Sequence, residues 1–311
     1  MRVAVVLLLS VAALAAAGVA RASEALPDVD VRLRSLQVDA KGQALVTYTR
    51  PDGRVRHALL WGAVDARTPD PSRPQVRFRR DLSGGLARYG RLVWKRFRNV
   101  CRAYDGPALA YLAAACRAPD GSYWAVQAWV RRQPLLGFDP WRPEHTAVEL
   151  HVSHWRGPLA QLEVFTNWTY GFAAQGLFGR LTYAGAPVYG FGTTKDGNPR
   201  DRYVRNVYID TYNSAYGAGW RRESGIVTHR DTGTFCHSFV PQRPFPGYPN
   251  QDVRPAATGE RYRVTVMGPG VTPIVQWEGA GLTAADRGRD GEFDATFDRV
   301  MAGDRICARE R

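Results

Sequence analysis

Ala147-Val148-Glu149-Leu150-His151-Val152-Ser153-His154-Trp155 is followed, after a short break, by Leu159-Ala160-Gln161-Leu162-Glu163-Val164-Phe165-Thr166-Asn167-Trp168. In an extended chain, successive side chains point to opposite faces. Val148, Leu150 and Val152 then share one face of the first segment, and Glu149, His151, Ser153 and Trp155 the other. In the second segment Leu162 and Val164 lie opposite Gln161, Glu163, Phe165 and Asn167. This period of two is the pattern of a half-buried strand.

The same alternation runs outward in both directions. Residues 44–50 and 54–64 flank Pro51-Asp52-Gly53 and read as a hairpin. A second hairpin centres on Pro119-Asp120-Gly121. Its return arm puts Trp124, Val126, Ala128 and Val130 on one face. Its Ala-rich leading arm, 107–116, fits either a strand or a short helix. Further strands are predicted over 147–155, 159–168, 178–184, 187–194, 203–212, 222–229, 234–240, 260–267 and 271–278. The Pro-rich residues 241–255 read as a long loop. Phe293, Phe297, Val300 and Met301 fall on one face of a helix over about 290–302. Many short, closely spaced strands predict a mainly β fold, an antiparallel β-sandwich or jelly roll with a short C-terminal helix.

The chain opens with Arg2, an apolar run from Val3 to Val19, and Ala20-Arg21-Ala22. That is the pattern of a secretory signal, so residues 1–22 are expected to be a leader and 23–311 a single secreted β domain. Cys101, Cys116, Cys236 and Cys307 behind such a leader point to disulfides. Nearest neighbours close most easily, which predicts Cys101–Cys116 and Cys236–Cys307. No Cys-x-x-Cys is present, and neither a metal nor a cofactor is expected.

The formal net charge is +13, and nearly all the basic residues are Arg, as in proteins from GC-rich bacterial genomes. Residues 50–102 carry fourteen Lys/Arg against four Asp. Such a local field attracts polyanions. Phe78, Tyr89, Trp94 and Phe97 alternate with cations including Arg91 and Arg96, a mixture that also occurs in nucleic-acid binders. Export turns the expectation away from nucleic acid and toward a polysaccharide or anionic envelope polymer, with peripheral contact to a membrane surface as a further option.

Two sets of residues are candidates for chemistry. If 156–158 is a hairpin loop, His151 faces Glu163 and Glu149 lies one diagonal away. Two carboxylates beside aromatics are what glycoside cleavage requires, with His151 tuning one of them. The bland alternative is the solvent face of a sheet. The other set is the glycine-loosened segment Tyr212-Asn213-Ser214-Ala215-Tyr216-Gly217-Ala218-Gly219-Trp220. It reads as a loop whose rings would stack a sugar and whose Asn213 would bond its hydroxyls; Trp155 is a further stacking candidate. His151 and His154 point to opposite strand faces and so do not form a metal pair. Asp231-Thr232-Gly233 reads as a turn, since no second such triplet exists for an aspartic protease. Gly190-Phe191-Gly192 lacks the helix of a phosphate loop, and no Gly-x-Ser-x-Gly is present. The expected function is non-catalytic binding of a glycan or anionic envelope polymer. A glycan-cleaving enzyme and a structural envelope protein are the alternatives.

Overall fold

The computed structural model describes residues 23–63, 78–134, 143–169, 173–189, 206–241, 258–267, 272–283 and 291–307. The leader, nearly all of the Pro-rich loop and Gly190-Phe191-Gly192 lie outside these residues. The first half contains β1 (Ser23–Val29), β2 (Arg32–Val38), β3 (Ala44–Thr49), β4 (Val55–Gly62), β5 (Phe78–Asp81), β6 (Leu112–Arg117), β7 (Tyr123–Pro134) and β8 (Pro143–Trp155). A one-turn helix α1 (Leu86–Tyr89) and a 3-10 turn (Val93–Arg96) lie between β5 and β6. The second half contains β9 (Gln161–Thr169), β10 (Ala174–Tyr183), β11 (Ala186–Pro187) and β12 (Val207–Ser214). β13 (Gly217–Ile226), β14 (Thr234–Ser238), β15 (Arg261–Val266), β16 (Val275–Ala280) and helix α2 (Gly291–Val300) complete it.

The fold is mainly β and antiparallel, as the alternation predicts. The strands form four sheets, ordered β1-β8-β7-β6, β2-β3-β4-β5, β11-β10-β14 with β9 beside β10, and β13-β12-β15-β16. The first two sheets enclose one core of Val38, Val46, Tyr48, Leu60, Trp124, Val126, Leu150 and Val152. The last two enclose another, of Val164, Leu177, Leu181, Ile209, Phe235, Phe239, Tyr262 and Val264. Each residue reaches its core by strand alternation, so the periodicity in the sequence and the burial in the fold are one fact. Trp129, Tyr208, Met267 and Ile274 join the two sandwiches. There the Gln127 side chain donates to Ile274 O and accepts from Ile274 N.

Both predicted hairpins form, and the ambiguous leading arm of the second is strand β6. Both predicted disulfides are present, Cys101–Cys116 and Cys236–Cys307. The C-terminal helix lies where its apolar stripe predicts, with Phe297, Val300 and Met301 packed on Phe178 and the second disulfide.

Two expectations are corrected. β8 does not pair with β9, because both edges of β8 are taken, one by β1 and the other by β7. β9 crosses to the other sandwich and pairs with β10. Residues 212–220 are not a loose loop but the turn of the β12–β13 hairpin, with Tyr212 opposite Trp220 and Ser214 opposite Gly217. Asn213, Gly217 and Gly219 have φ of 49°, 118° and 73°, the left-handed geometry that a tight, bulged turn needs.

Candidate functional site

Between β5 and β6 the chain leaves the sheets and folds into a pad. From Leu82 to Tyr104 there is no acidic residue. The pad covers the outer face of the sheet β2-β3-β4-β5: Trp94 stacks on His57 with ring centroids 4.1 Å apart, and the Arg88 guanidinium lies 5.8 Å from the Trp61 ring. With the inner face packed on the first core, this cover leaves all of Ala44–Tyr48 buried, Leu45 and Thr47 included.

The pad is built, not draped. Asp81 accepts hydrogen bonds from Ser83 N and Oγ on one oxygen and from Arg88 N on the other. Burial pushes its carboxyl pKa up, but these donors reverse the effect and hold it below the ordinary range. Gly84 and Gly85 have φ of 67° and 103°. A Cβ on Gly85 would stand 2.3 Å from Val93 Cγ2, and one on Gly84 2.6 Å from Trp94 Cδ1, so only glycine fits. The far end is fixed by Asn99, which accepts from Val38 N and Cys101 N, and by the Cys101–Cys116 disulfide.

On this scaffold Arg79, Arg88, Arg91, Lys95, Arg96, Arg98 and Arg102 are exposed. Among the described residues none of the seven makes an ion pair, whereas the neighbouring Arg80 is held by Glu24 at 2.6 Å. Arg91 and Arg96, the two cations singled out from the sequence, are both on the open side. The pad also exposes Leu86, Tyr89, Trp94 and Val100, four of the eight large apolar side chains exposed among the described residues. The sequence pattern shows the charges. It does not reveal the glycine pair's role or the exposure of Leu86 and Val100, both of which depend on which side of the pad meets the sheet.

The carboxylate pair is not assembled. Glu149 is 2% exposed, on the face of the first sheet that meets the second sandwich. Its Oε2 accepts from Arg131 Nη2 at 2.6 Å and lies 3.4 Å from His151 Nε2. Burial pushes the Glu149 pKa up, and His151 and Arg131 outweigh this and hold it below the ordinary glutamate range. A general acid for glycoside cleavage needs the opposite shift. Glu163 belongs to another sheet, opposite Arg180, with its carboxylate 3.3 Å from Arg299 on α2. The hairpin that would have joined them does not exist, because β8 has no free edge.

Nearby, the buried Arg222 binds Asp210 at 2.6 Å, and its guanidinium lies 4.6 Å from the Tyr208 ring and 5.0 Å from Trp129. These groups knit the two sandwiches together. The sequence gives little sign of this, since nothing in the alternation around Arg131, Asp210 and Arg222 sets them apart from other charged strand residues.

The aromatic candidates divide. Trp155 is fully buried against Tyr123 and Tyr104, and Tyr216 is 4% exposed within the second core. Both are set apart from a stacking surface by burial. Tyr212 and Trp220 are half-buried with ring centroids 5.2 Å apart. Guanidiniums cover them: Arg263 lies 3.9 Å over Trp220, and Arg261 about equally far from both rings, at 5.5 and 5.7 Å. Glu278 pairs with both arginines. Asn213 closes the turn, accepting from Gly219 N and donating to Glu260.

His229, Asp304 and Cys307 bring ligand atoms within 4.8 Å of one another. They form a structural knot instead of a metal centre. The Cys307 sulfur is bonded to Cys236 and offers no thiolate. Asp304 Oδ1 accepts from Ile306 N and Cys307 N, and Oδ2 from His229, Thr232 and Thr234. Burial pushes the Asp304 pKa up, and these donors pull it far below the usual range. His237, the other histidine of this hairpin, turns away to Glu223 at 3.2 Å. Asp231-Thr232-Gly233 is a turn, closed by Gly233 N donating to His229 O.

No family model matches the chain, and neither a curated protein nor a solved structure resembles it.

Proposed function

We propose that the protein is exported and binds, without chemical conversion, an anionic polymer of the cell envelope through the pad. The observation that carries this reading is the set of seven exposed cations, none of them ion-paired among the described residues, on and beside a glycine-locked scaffold that has no acidic residue from Leu82 to Tyr104. Unpaired charges at a surface cost little while solvated, and together they create a field that concentrates a polyanion. A scaffold fixed beforehand lowers the ordering cost of binding. The two disulfides agree with an oxidising compartment. The Tyr212–Trp220 hairpin is left out of the binding surface, because its rings are already covered by Arg261 and Arg263 and it lies on a different sheet from the pad's support.

The test is retention of the purified chain on dextran sulfate, with uncharged dextran as the control. Retention is expected on the sulfated polymer alone and should fall steeply with added salt. The double variant Arg91→Gln/Arg96→Gln should lose about thirtyfold in affinity, from two cations near an anionic surface. Equal retention on both matrices, or no effect of the double variant, would overturn the proposal.

A further inference from the structure

Solvated polyanions explain the cations of the pad but not its apolar side chains. Leu86 is 50% exposed, Tyr89 42%, Val100 39% and Trp94 36%. Leu and Val give a charged, hydrated polymer nothing to bond. Left in water, they are unfavourable; set into the headgroup–acyl boundary of a bilayer, they are favourable, and Trp and Tyr prefer that depth.

Their placement is not scattered. Leu86 and Tyr89 stand one turn apart on α1. Tyr89 Oη accepts from Gln43, and Val100 N donates to Val38 O, so both are tied to the β2–β3 turn. The carboxylate on that turn, Asp39, accepts from the backbone N–H groups of Lys41 and Gln43 on one oxygen. Lys41 adds another exposed cation there. The result is a set of exposed apolar side chains, Leu86, Tyr89 and Val100, linked to one end of a sheet, beside exposed cations that outnumber the one acid of that turn, Asp39. That combination complements one surface, a bilayer carrying anionic headgroups, where basic residues supply attraction and apolar ones shallow insertion.

We infer that the pad docks on an anionic lipid surface, with Leu86, Tyr89 and Val100 entering the interface and Arg88, Arg91, Lys95, Arg96 and Arg98 engaging the headgroup phosphates. This rests on the polyanion reading and names the source of the negative charge. It adds an insertion step that a soluble polymer does not permit.

The experiment is co-sedimentation of the full chain with vesicles of phosphatidylcholine alone or mixed with phosphatidylglycerol, run beside dextran sulfate binding. Partition is expected on the mixed vesicles and not on phosphatidylcholine. The double variant Leu86→Ser/Val100→Ser alters two exposed positions. It should lower vesicle partition by about tenfold, the expected effect of withdrawing two partly exposed aliphatic groups. Its binding to dextran sulfate should be unchanged. Retention on dextran sulfate without sedimentation, or partition unaffected by the double variant, overturns the lipid inference and leaves the polyanion reading standing. Failure to bind either probe overturns both. Equal partition on neutral vesicles overturns the role given to the cations.

Discussion

Glu149 is fixed between a guanidinium and an imidazole in a place water does not reach. Removing its charge takes the carboxylate away from both Arg131, itself 4% exposed, and His151, also 4% exposed. Glu149→Gln is therefore expected to destabilise the fold by about 3–5 kcal/mol, the usual cost of breaking a buried pair from one side. Urea denaturation of variant and parent measures this, and a difference below about 1 kcal/mol would show that the pair contributes little. Such residues mark the limit of what alternation reveals. The sequence puts Glu149, His151 and Ser153 on one strand face, correctly. It reads that face as solvent or as an active site, whereas the face meets a second sandwich. A period of two tells which side chains travel together, not what lies against them. The wrong partner for Glu149 came from one assumption, that consecutive strands pair. The missing fact was tertiary: β1 returns to occupy the edge of β8 that a hairpin with β9 would have used.

At the scale of elements, the pad depends on few fastenings. Its residues form one helical turn and one 3-10 turn, too short to persist alone. Gly84, Gly85, Asp81, Asn99 and the Cys101–Cys116 bond hold it in place. Replacing that disulfide by Cys101→Ser/Cys116→Ser is expected to cost about 3 kcal/mol, from a loop of sequence separation 15. Hydrogen exchange should show residues 82–100 losing protection before the sheets do. Uniform loss across the first sandwich would instead mean that the bond supports the core. The sequence carries more at this scale than at any other. Turns at Pro51-Asp52-Gly53 and Pro119-Asp120-Gly121, the strands around them and the α2 stripe are local signals with local causes. Residues 212–220 read as a loop in sequence because their glycines loosen a chain only until the turn geometry uses their freedom. β16 starts later than its apolar run suggests. Ile274, just before it, bonds the Gln127 side chain from another sheet, a contact no local pattern contains.

At the scale of the molecule, three buried carboxyls hold the fold to one pH range. Asp81, Glu149 and Asp304 all have pKa values below the ordinary range. In each, burial pushes upward and hydrogen bonds or nearby cations overcome it. A depressed carboxyl contributes stability above its unfolded pKa, about 4, and that contribution is lost as pH falls through the folded value. Stability is thus expected to stay level in this respect from about pH 5 upward and to decline steadily below about pH 4. Thermal unfolding followed across pH 2–7 measures it, and a flat profile below pH 4 would contradict the three shifts. The Asp304→Asn variant should show a shallower decline.

The seam between the sandwiches has one more implication. An oily joint lets its halves settle at several angles, since dispersion has no direction. Here Arg131 and Arg222 must each meet a carboxylate while lying beside the Trp129 ring. Each salt link lies within its own sandwich and fixes its arginine; a rotation of a few degrees would lift Arg222 off Trp129 and break the two Gln127–Ile274 hydrogen bonds that cross the seam. The two halves are keyed to a single mutual orientation, and the molecule presents the pad as one rigid body rather than on a hinge.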